Sequence, residues 1–234
     1  LCSVATDQMI ITIIPSATAN AGDDATICET AVSYTLAGAT ATNYTGLLWT
    51  TSGTGTFSNI FDLNPIYTPS AADIAAGTVT LTLTAYGDEP CGNAVNAMVL
   101  SIDRQPVADA GLDGSVCAST GSYTVSGASV LYTTDFVWSH NGTGTLTGET
   151  TLTPTYTFGA GETGAVTLTL TATPESGSLC SVATDQMIIT IIPSATANAG
   201  DDATICETAV SYTLADATAT NYTGLLWTTS GTGT

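Results

Sequence analysis

The sequence predicts an all-β chain made of small β-sandwiches in tandem, and three observations carry that prediction. The first is a period of 89 residues: Cys28, Cys117 and Cys206 keep that step, as do Cys2, Cys91 and Cys180, and Trp49, Trp138 and Trp227. This period is too long for a helical solenoid repeat and suits one small sandwich. The second is duplication, since residues 179–234 repeat residues 1–56 at an offset of 178 with a single change, Gly38 becoming Asp216. The third is composition. The chain is 44% hydrophobic, which argues against disorder, and it is rich in Thr, Val, Ile, Gly and Ala, which favour strands and turns over helices.

The period divides the 234 residues into four segments: 1–16, the final strand of a preceding repeat; 17–105 and 106–194, two whole repeats; and 195–234, the first strands of an incomplete repeat. In the first segment, Gln8–Ile14 is an apolar, β-branched run expected to form a strand buried on both faces. Pro15, Pro106 and Pro193 punctuate the boundaries. In the first whole repeat, Ala21-Gly22-Asp23-Asp24 reads as a turn into a strand ending at Cys28. Val32–Ala37 reads as a second strand with Val32, Tyr34 and Leu36 on one face.

Leu47–Thr51 is the third strand and carries Trp49; Gly53-Thr54-Gly55-Thr56 turns the chain towards Phe57, and Pro65-Ile66-Tyr67 is a brief extended piece. Thr78–Ala85 is the clearest strand, with Val79, Leu81, Leu83 and Ala85 inward and threonines between them outward. Asn96–Ile102 closes the repeat. About seven short strands at these spacings describe an immunoglobulin-like sandwich. The second repeat keeps the skeleton and varies its loops, as solvent-exposed connections allow. The fragment at 195–234 leaves an apolar face and a strand edge open and is expected to need further residues, or another chain, to fold stably. Starting in mid-repeat and stopping at Gly-Thr-Gly-Thr, the sequence reads as a window on a longer array.

Charge narrows the partners. Twenty acidic residues against Arg104 and one histidine give a net charge of −19, which repels nucleic acid and anionic membranes. The apolar run at Met9–Ile14 is far too short to span a bilayer. Without lysine, Lys–Asn isopeptide cross-links cannot form. The six cysteines occupy two fixed positions in the repeat and read as a disulfide framework of an oxidising compartment. Two pairings are open. Cys28–Cys91 and Cys117–Cys180 would close loops within a repeat, leaving Cys2 and Cys206 to partners outside the window. Cys2–Cys28, Cys91–Cys117 and Cys180–Cys206 would staple the array lengthwise. The within-repeat pairing is preferred because each domain would then fold independently.

Trp49, Trp138 and Trp227 read as core tryptophans of the third strand rather than carbohydrate platforms. Asp23, Asp24, Asp109, Asp113, Asp201 and Asp202 cluster near the repeat boundaries, where they serve either as turn residues, the preferred reading, or as calcium ligands. No other cofactor is expected. His140 beside Ser139 has no counterpart in the first repeat, where Thr51 stands, so it is weak evidence for a nucleophile pair. Gly-Thr-Gly-Thr lacks the lysine and the strand-to-helix setting of a phosphate cradle. No catalytic constellation emerges, and the chain is not expected to be an enzyme.

The pattern Ala-x-Ala-Gly-x-Asp…Cys, Trp-(Thr/Ser)-x-x-Gly-Thr-Gly-Thr, Pro-x-Tyr-Thr, Val-Thr-Leu-Thr-Leu-Thr-Ala and a late Cys resembles PKD-like/immunoglobulin-like repeats. Such repeats build large secreted surface proteins of Bacteroidota, including gliding-motility adhesins exported by type IX secretion. The resemblance covers the whole chain and implies an extracellular, cell-surface stalk or adhesive filament whose partners are adjacent repeats or neighbouring subunits. Two alternatives remain. One is a carbohydrate-binding array using Tyr44, Tyr86 and Tyr132 on surface polysaccharide; the other is a filament subunit completed by strand exchange between chains.

Overall fold

The computed structural model describes residues 2–232. Leu1 and residues 233–234, the outer ends of the first and last segments, lie outside the described residues. The first repeat forms β1 (Thr18–Asn20), β2 (Ala25–Cys28), β3 (Tyr34–Thr35), β4 (Thr40–Thr42), β5 (Gly46–Thr51), β6 (Thr56–Phe57) and β7 (Ile66–Thr68). Helix α1 (Ala71–Ala76), β8 (Thr78–Tyr86) and β9 (Ala94–Asp103) follow. The main sheet runs β2-β9-β8-β5. β5 and β9 flank β8 antiparallel, whereas β2 lies parallel to β9 with Ala25 opposite Leu100 and Cys28 opposite Asp103. A second sheet, β3-β7-β6, and the pair β1-β4 complete the sandwich.

Alternation in β8 does what the sequence predicts: Val79, Leu81, Leu83 and Ala85 are buried, and the threonines between them are half-exposed. They share one core with Met98, Leu100 and Ile102 of β9, Trp49 of β5, and Leu36 and Tyr67 from the opposite side. Each fully buried leucine contributes roughly 2 kcal/mol of transfer free energy. The second repeat repeats the plan. Its main sheet orders Gly114–Cys117, Ala183–Ile192, Gly164–Thr173 and Asp135–His140, with Cys117 opposite Ile192 in a parallel register. Trp138, Tyr156, Leu168, Leu170, Met187 and Ile189 form its core.

Two compact units contain these cores. Unit one comprises Leu1–Val107, Leu131–Asp135 and Ala172–Ala183; unit two comprises Ala108–Val130, Phe136–Thr171 and Thr184–Thr234. The units are therefore discontinuous in sequence, with two short stretches of the second repeat belonging to unit one.

Four local expectations are corrected. Gln8–Ile14 forms no strand, and Met9, Ile10, Ile11 and Ile13 are exposed. Its duplicate, Gln186–Ile192, does form a strand within Ala183–Ile192, but only Met187, Ile189 and Ile191 are buried, so one face is covered rather than both. Among the described residues the copy at the start pairs with no strand, so its backbone is not held in a ladder. Val32 is exposed and precedes β3, which is only Tyr34–Thr35, because the chain turns through Glu29 and Thr30 with Ala31 N–H donating to the Cys28 carbonyl. Helix α1 was not expected. Ser70 caps it by accepting from Asp73 N–H, Asp73 answers by accepting from Ser70 N–H, and Gly77 at φ 76° ends it.

Last, Trp227 is not a core residue. It is 54% exposed, against 1% for Trp49 and 2% for Trp138. Residues 195–232 hold one short antiparallel pair, Thr196–Asn198 with Thr218–Thr220, and Trp227 lies outside it.

Candidate functional site

The cysteines locate the first candidate. Cys28 is bonded to Cys180, with S–S 2.02 Å and Cα–Cα 4.9 Å, while Cys2, Cys91, Cys117 and Cys206 are thiols. Both expected pairings are thus replaced, and strand direction explains why the preferred one cannot form. Cys28 lies opposite Asp103 at the end of β9, whereas Cys91 sits three residues before β9 begins. Nine strand steps of about 3.4 Å put the two ends roughly 30 Å apart, and a disulfide needs Cα atoms within about 7 Å. Cys117 and Cys180 face the same obstacle along Ala183–Ile192. Cys180 instead arrives at the Cys28 end, its Sγ 3.6 Å from the Asp103 carbonyl oxygen.

Polar contacts surround the bond, all within unit one. Glu29, next to Cys28, accepts from Gln105 N–H at 2.8 Å and pairs with Arg104 Nε at 2.8 Å; the Gln105 amide donates to the Ser181 carbonyl at 2.7 Å. Arg104, the chain's single Lys/Arg residue, also donates to the Tyr132 hydroxyl at 2.8 Å and lies 4.4 Å from the centre of that ring. Tyr132 has φ 60°, a left-handed conformation that its counterparts in the other repeats fill with Asn43 and Asn221. Tyrosine there carries strain of about 1 kcal/mol, offset by the arginine contact. Replacing Tyr132 by Asn is therefore expected to change unit-one stability by less than about 1 kcal/mol, whereas Tyr132→Ala, strained and without the contact, should lose about 1–2 kcal/mol in denaturant unfolding. Beside Arg104 opens a cleft of about 590 Å³, walled by Asp103, Tyr132, Thr133, Glu175 and Ser178. Its lining offers hydroxyls and carboxylates, with neither histidine nor cysteine among them.

A second feature recurs in both units. Asp73, 2% exposed, accepts hydrogen bonds from Thr54 N–H (2.9 Å), Gly55 N–H (2.8 Å), Ser70 N–H (2.9 Å) and the Tyr67 hydroxyl (2.8 Å). Burial alone would push its carboxyl upward; the Ser70 and Thr54 amides and the Tyr67 hydroxyl outweigh it and hold the carboxyl below the ordinary aspartate value. Tyr67 is held above the ordinary phenol value by burial and by the Asp73 charge. Eighty-nine residues on, Glu162 does the same work without a helix: it accepts from Thr143 N–H (2.7 Å), Gly159 N–H (2.8 Å) and the Tyr156 hydroxyl (2.9 Å). Its carboxyl is likewise lowered, against the upward push of burial, by the Gly159 and Thr143 amides.

The Gly-Thr-Gly-Thr loop thus does embrace an anion, supplied by the chain itself. A Cβ at Gly53 would collide with the Asp73 carboxylate, and one at Gly55 with the Tyr67 hydroxyl and the Thr68 carbonyl, so this motif needs its glycines for close approach. The sequence signal for Asp73 was the Ser70-x-x-Asp73 capping box followed by Gly77; Glu162, preceded by Gly159, carries no such signal.

The other residues singled out from sequence lie as follows. Trp49 and Trp138 each donate their indole N–H to a loop carbonyl, of Asp62 (3.1 Å) and Thr151 (3.0 Å). Asp24 and Asp113 accept from the edge amides Val99 N–H (2.7 Å) and Ile188 N–H (2.8 Å), and Asp109 makes a turn by accepting from Gly111 N–H. Asp23, Asp201 and Asp202 are not drawn together with them: among the described residues no group of three or more His, Cys, Asp or Glu side chains could hold a metal ion. His140 packs against Tyr156, ring centres 5.0 Å apart. Tyr44 and Tyr86 are exposed, and Tyr132 is engaged by Arg104. Among the described residues no helix is long and apolar enough to cross a membrane.

No family model and no curated protein matches the chain. Among solved structures, it is similar to Sidekick-1 immunoglobulin domains 1–4, at 14% identity and a TM-score of 0.44, over 77% of this chain and 50% of that one. It is similar to the PKD domain from KIAA 1837 protein at 20% identity and a TM-score of 0.31, over 40% of this chain and 92% of that one. Human protocadherin-24 EC1-2 gives 9% identity and a TM-score of 0.43, over 76% of this chain and 99% of that one. The chain spans half the length of the Sidekick-1 structure, and none of these likenesses places it in a family.

Proposed function

We propose that this chain is a stalk segment of a long, repetitive, secreted cell-surface protein, forming an extracellular filament used in surface attachment, with gliding motility as one such use. The observation that carries the reading is the near-identity of residues 1–56 and 179–234. A spacer grows in reach by duplicating whole units. Three further features support it. The Cys28–Cys180 bond suits an oxidising, extracellular setting and joins residues of successive repeats. The buried polar groups are engaged in holding loops rather than in facing a substrate. The net charge of −19 keeps such filaments apart in solution. The partners in this reading are neighbouring repeats and, at the exposed face, surface polysaccharide.

Small-angle scattering tests the spacer role. A 234-residue globule has a radius of gyration of about 17–18 Å. A tandem array should exceed about 25 Å and should lengthen in regular steps as repeats are added. A value near that of the globule, unchanged in shape on adding repeats, rejects the reading.

A further inference from the structure

We propose that the Cys28–Cys180 bond is one rung of a ladder, in which the early cysteine of each repeat is bonded to the late cysteine of the next. Cys117 is then the binding half-site for the late cysteine of a following repeat, and Cys91 for the early cysteine of a preceding one. This inference rests on the tandem-array reading above.

The thiols already occupy the positions that the bonded cysteines occupy. Cys117 ends its strand opposite Ile192, as Cys28 ends β2 opposite Asp103, and 103 and 192 are one period apart. Cys91 donates its thiol to the Ile14 carbonyl at 3.3 Å; Cys180, one period later, lies 3.6 Å from the Asp103 carbonyl oxygen, itself one period after Ile14. Both halves of the bonded arrangement are therefore built a second time, each lacking the other's partner. Cys28 and Cys180 are buried once joined, whereas Cys117 is exposed and Cys91 half-exposed. Burial follows partnership, not position. Within-repeat closure is excluded for Cys117 by the same strand-length argument as for Cys28. Each new rung forms as two thiols lose two protons and two electrons to a low-molecular-weight disulfide, which is reduced to two thiols.

The duplicated sequence supplies its own test. Because residues 195–234 copy 17–56, appending the sequence of residues 57–105 after Thr234 completes the third repeat and provides a late cysteine, the copy of Cys91. The lengthened chain is oxidised in a mixture of reduced and oxidised glutathione, alkylated under denaturing conditions and mapped by mass spectrometry, with Trp227 emission recording whether the third repeat has folded. The expected result is a blue-shifted Trp227 and a peptide joining Cys117 to the appended cysteine, beside the original Cys28–Cys180 peptide. In a Cys117→Ser version the appended cysteine should alkylate fully while the Trp227 shift persists. If Trp227 becomes buried but Cys117 still alkylates, or the appended cysteine joins Cys206, the ladder is wrong and the array stands. If Trp227 stays solvent-exposed and Cys117 remains a thiol, both fall.

Discussion

Replacing Asp73 by alanine should reduce the stability of unit one by about 4 kcal/mol, the largest effect expected of any single polar substitution in the chain. Three backbone N–H groups and the Tyr67 hydroxyl lose a charged acceptor in a place where water does not reach. The capping box of α1 is lost with it. Hydrogen exchange isolates the effect: slow amides of β8 and β9 should lose about a thousand-fold in protection, while those of Gly164–Thr173 upstream of Ala172, in unit two, stay unchanged. Equal protection in the variant would show that the carboxylate is not holding the loop. The same carboxylate sets an acid limit. Its folded-state value is depressed, so its contribution is complete above the ordinary carboxylate value near 4 and disappears as pH falls through the lower folded value. Glu162 does this for unit two. Acid unfolding of unit one should therefore be blunted in the Asp73→Ala protein, and that of unit two untouched.

The second large effect comes from the cross-link. Serine at both Cys28 and Cys180 should lower unit-one stability by about 3 kcal/mol, and the chain-entropy limit for a 152-residue separation is roughly 5 kcal/mol. Alkylation under denaturing, non-reducing conditions should find four accessible thiols in the parent chain, at Cys2, Cys91, Cys117 and Cys206, and guanidinium unfolding monitored on β8 and β9 should shift to lower denaturant in the double variant. A midpoint that does not move, or a Cys28–Cys91 peptide in the map, would overturn the assignment.

Much of this architecture can be read from local chemistry. Thr78–Ala85 alternates with period two and folds as it reads, and Trp49 and Trp138 sit in the core because a large apolar ring on an inward strand position has nowhere better to go. What alternation does not carry is direction and partnership. The cysteine spacing looked like a closed loop, but the hairpin of β8 and β9 sends Cys91 to the opposite end of the sheet from Cys28. A long closing strand was accessible from the sequence; the parallel direction of β2 beside it, which turns that length into a separation, was not. Nor was the true partner, 152 residues away, because nothing in a one-dimensional pattern specifies which distant segment meets the end of β9. Asp73 was missed for a different reason. Helix α1 is six residues, mostly alanine, too short to display a helical period, so only its caps betray it. The run at Gln8–Ile14 shows the converse: it is identical in sequence to Gln186–Ile192, yet only the latter is in a strand, so an apolar, β-branched run does not by itself specify pairing.

The route taken by tension follows from one bond. A pull applied upstream of Cys28 and downstream of Cys180 passes through two sulfur atoms and skips every peptide between them. About 150 residues, on the order of 500 Å of slack if drawn out straight, stay reeled in until a reductant cuts the shortcut. Release of that length thus answers to the redox state of the surroundings, while Ala25–Cys28 and Ala183–Ile192, which supply residues to the two cores, stay in the line of such a pull.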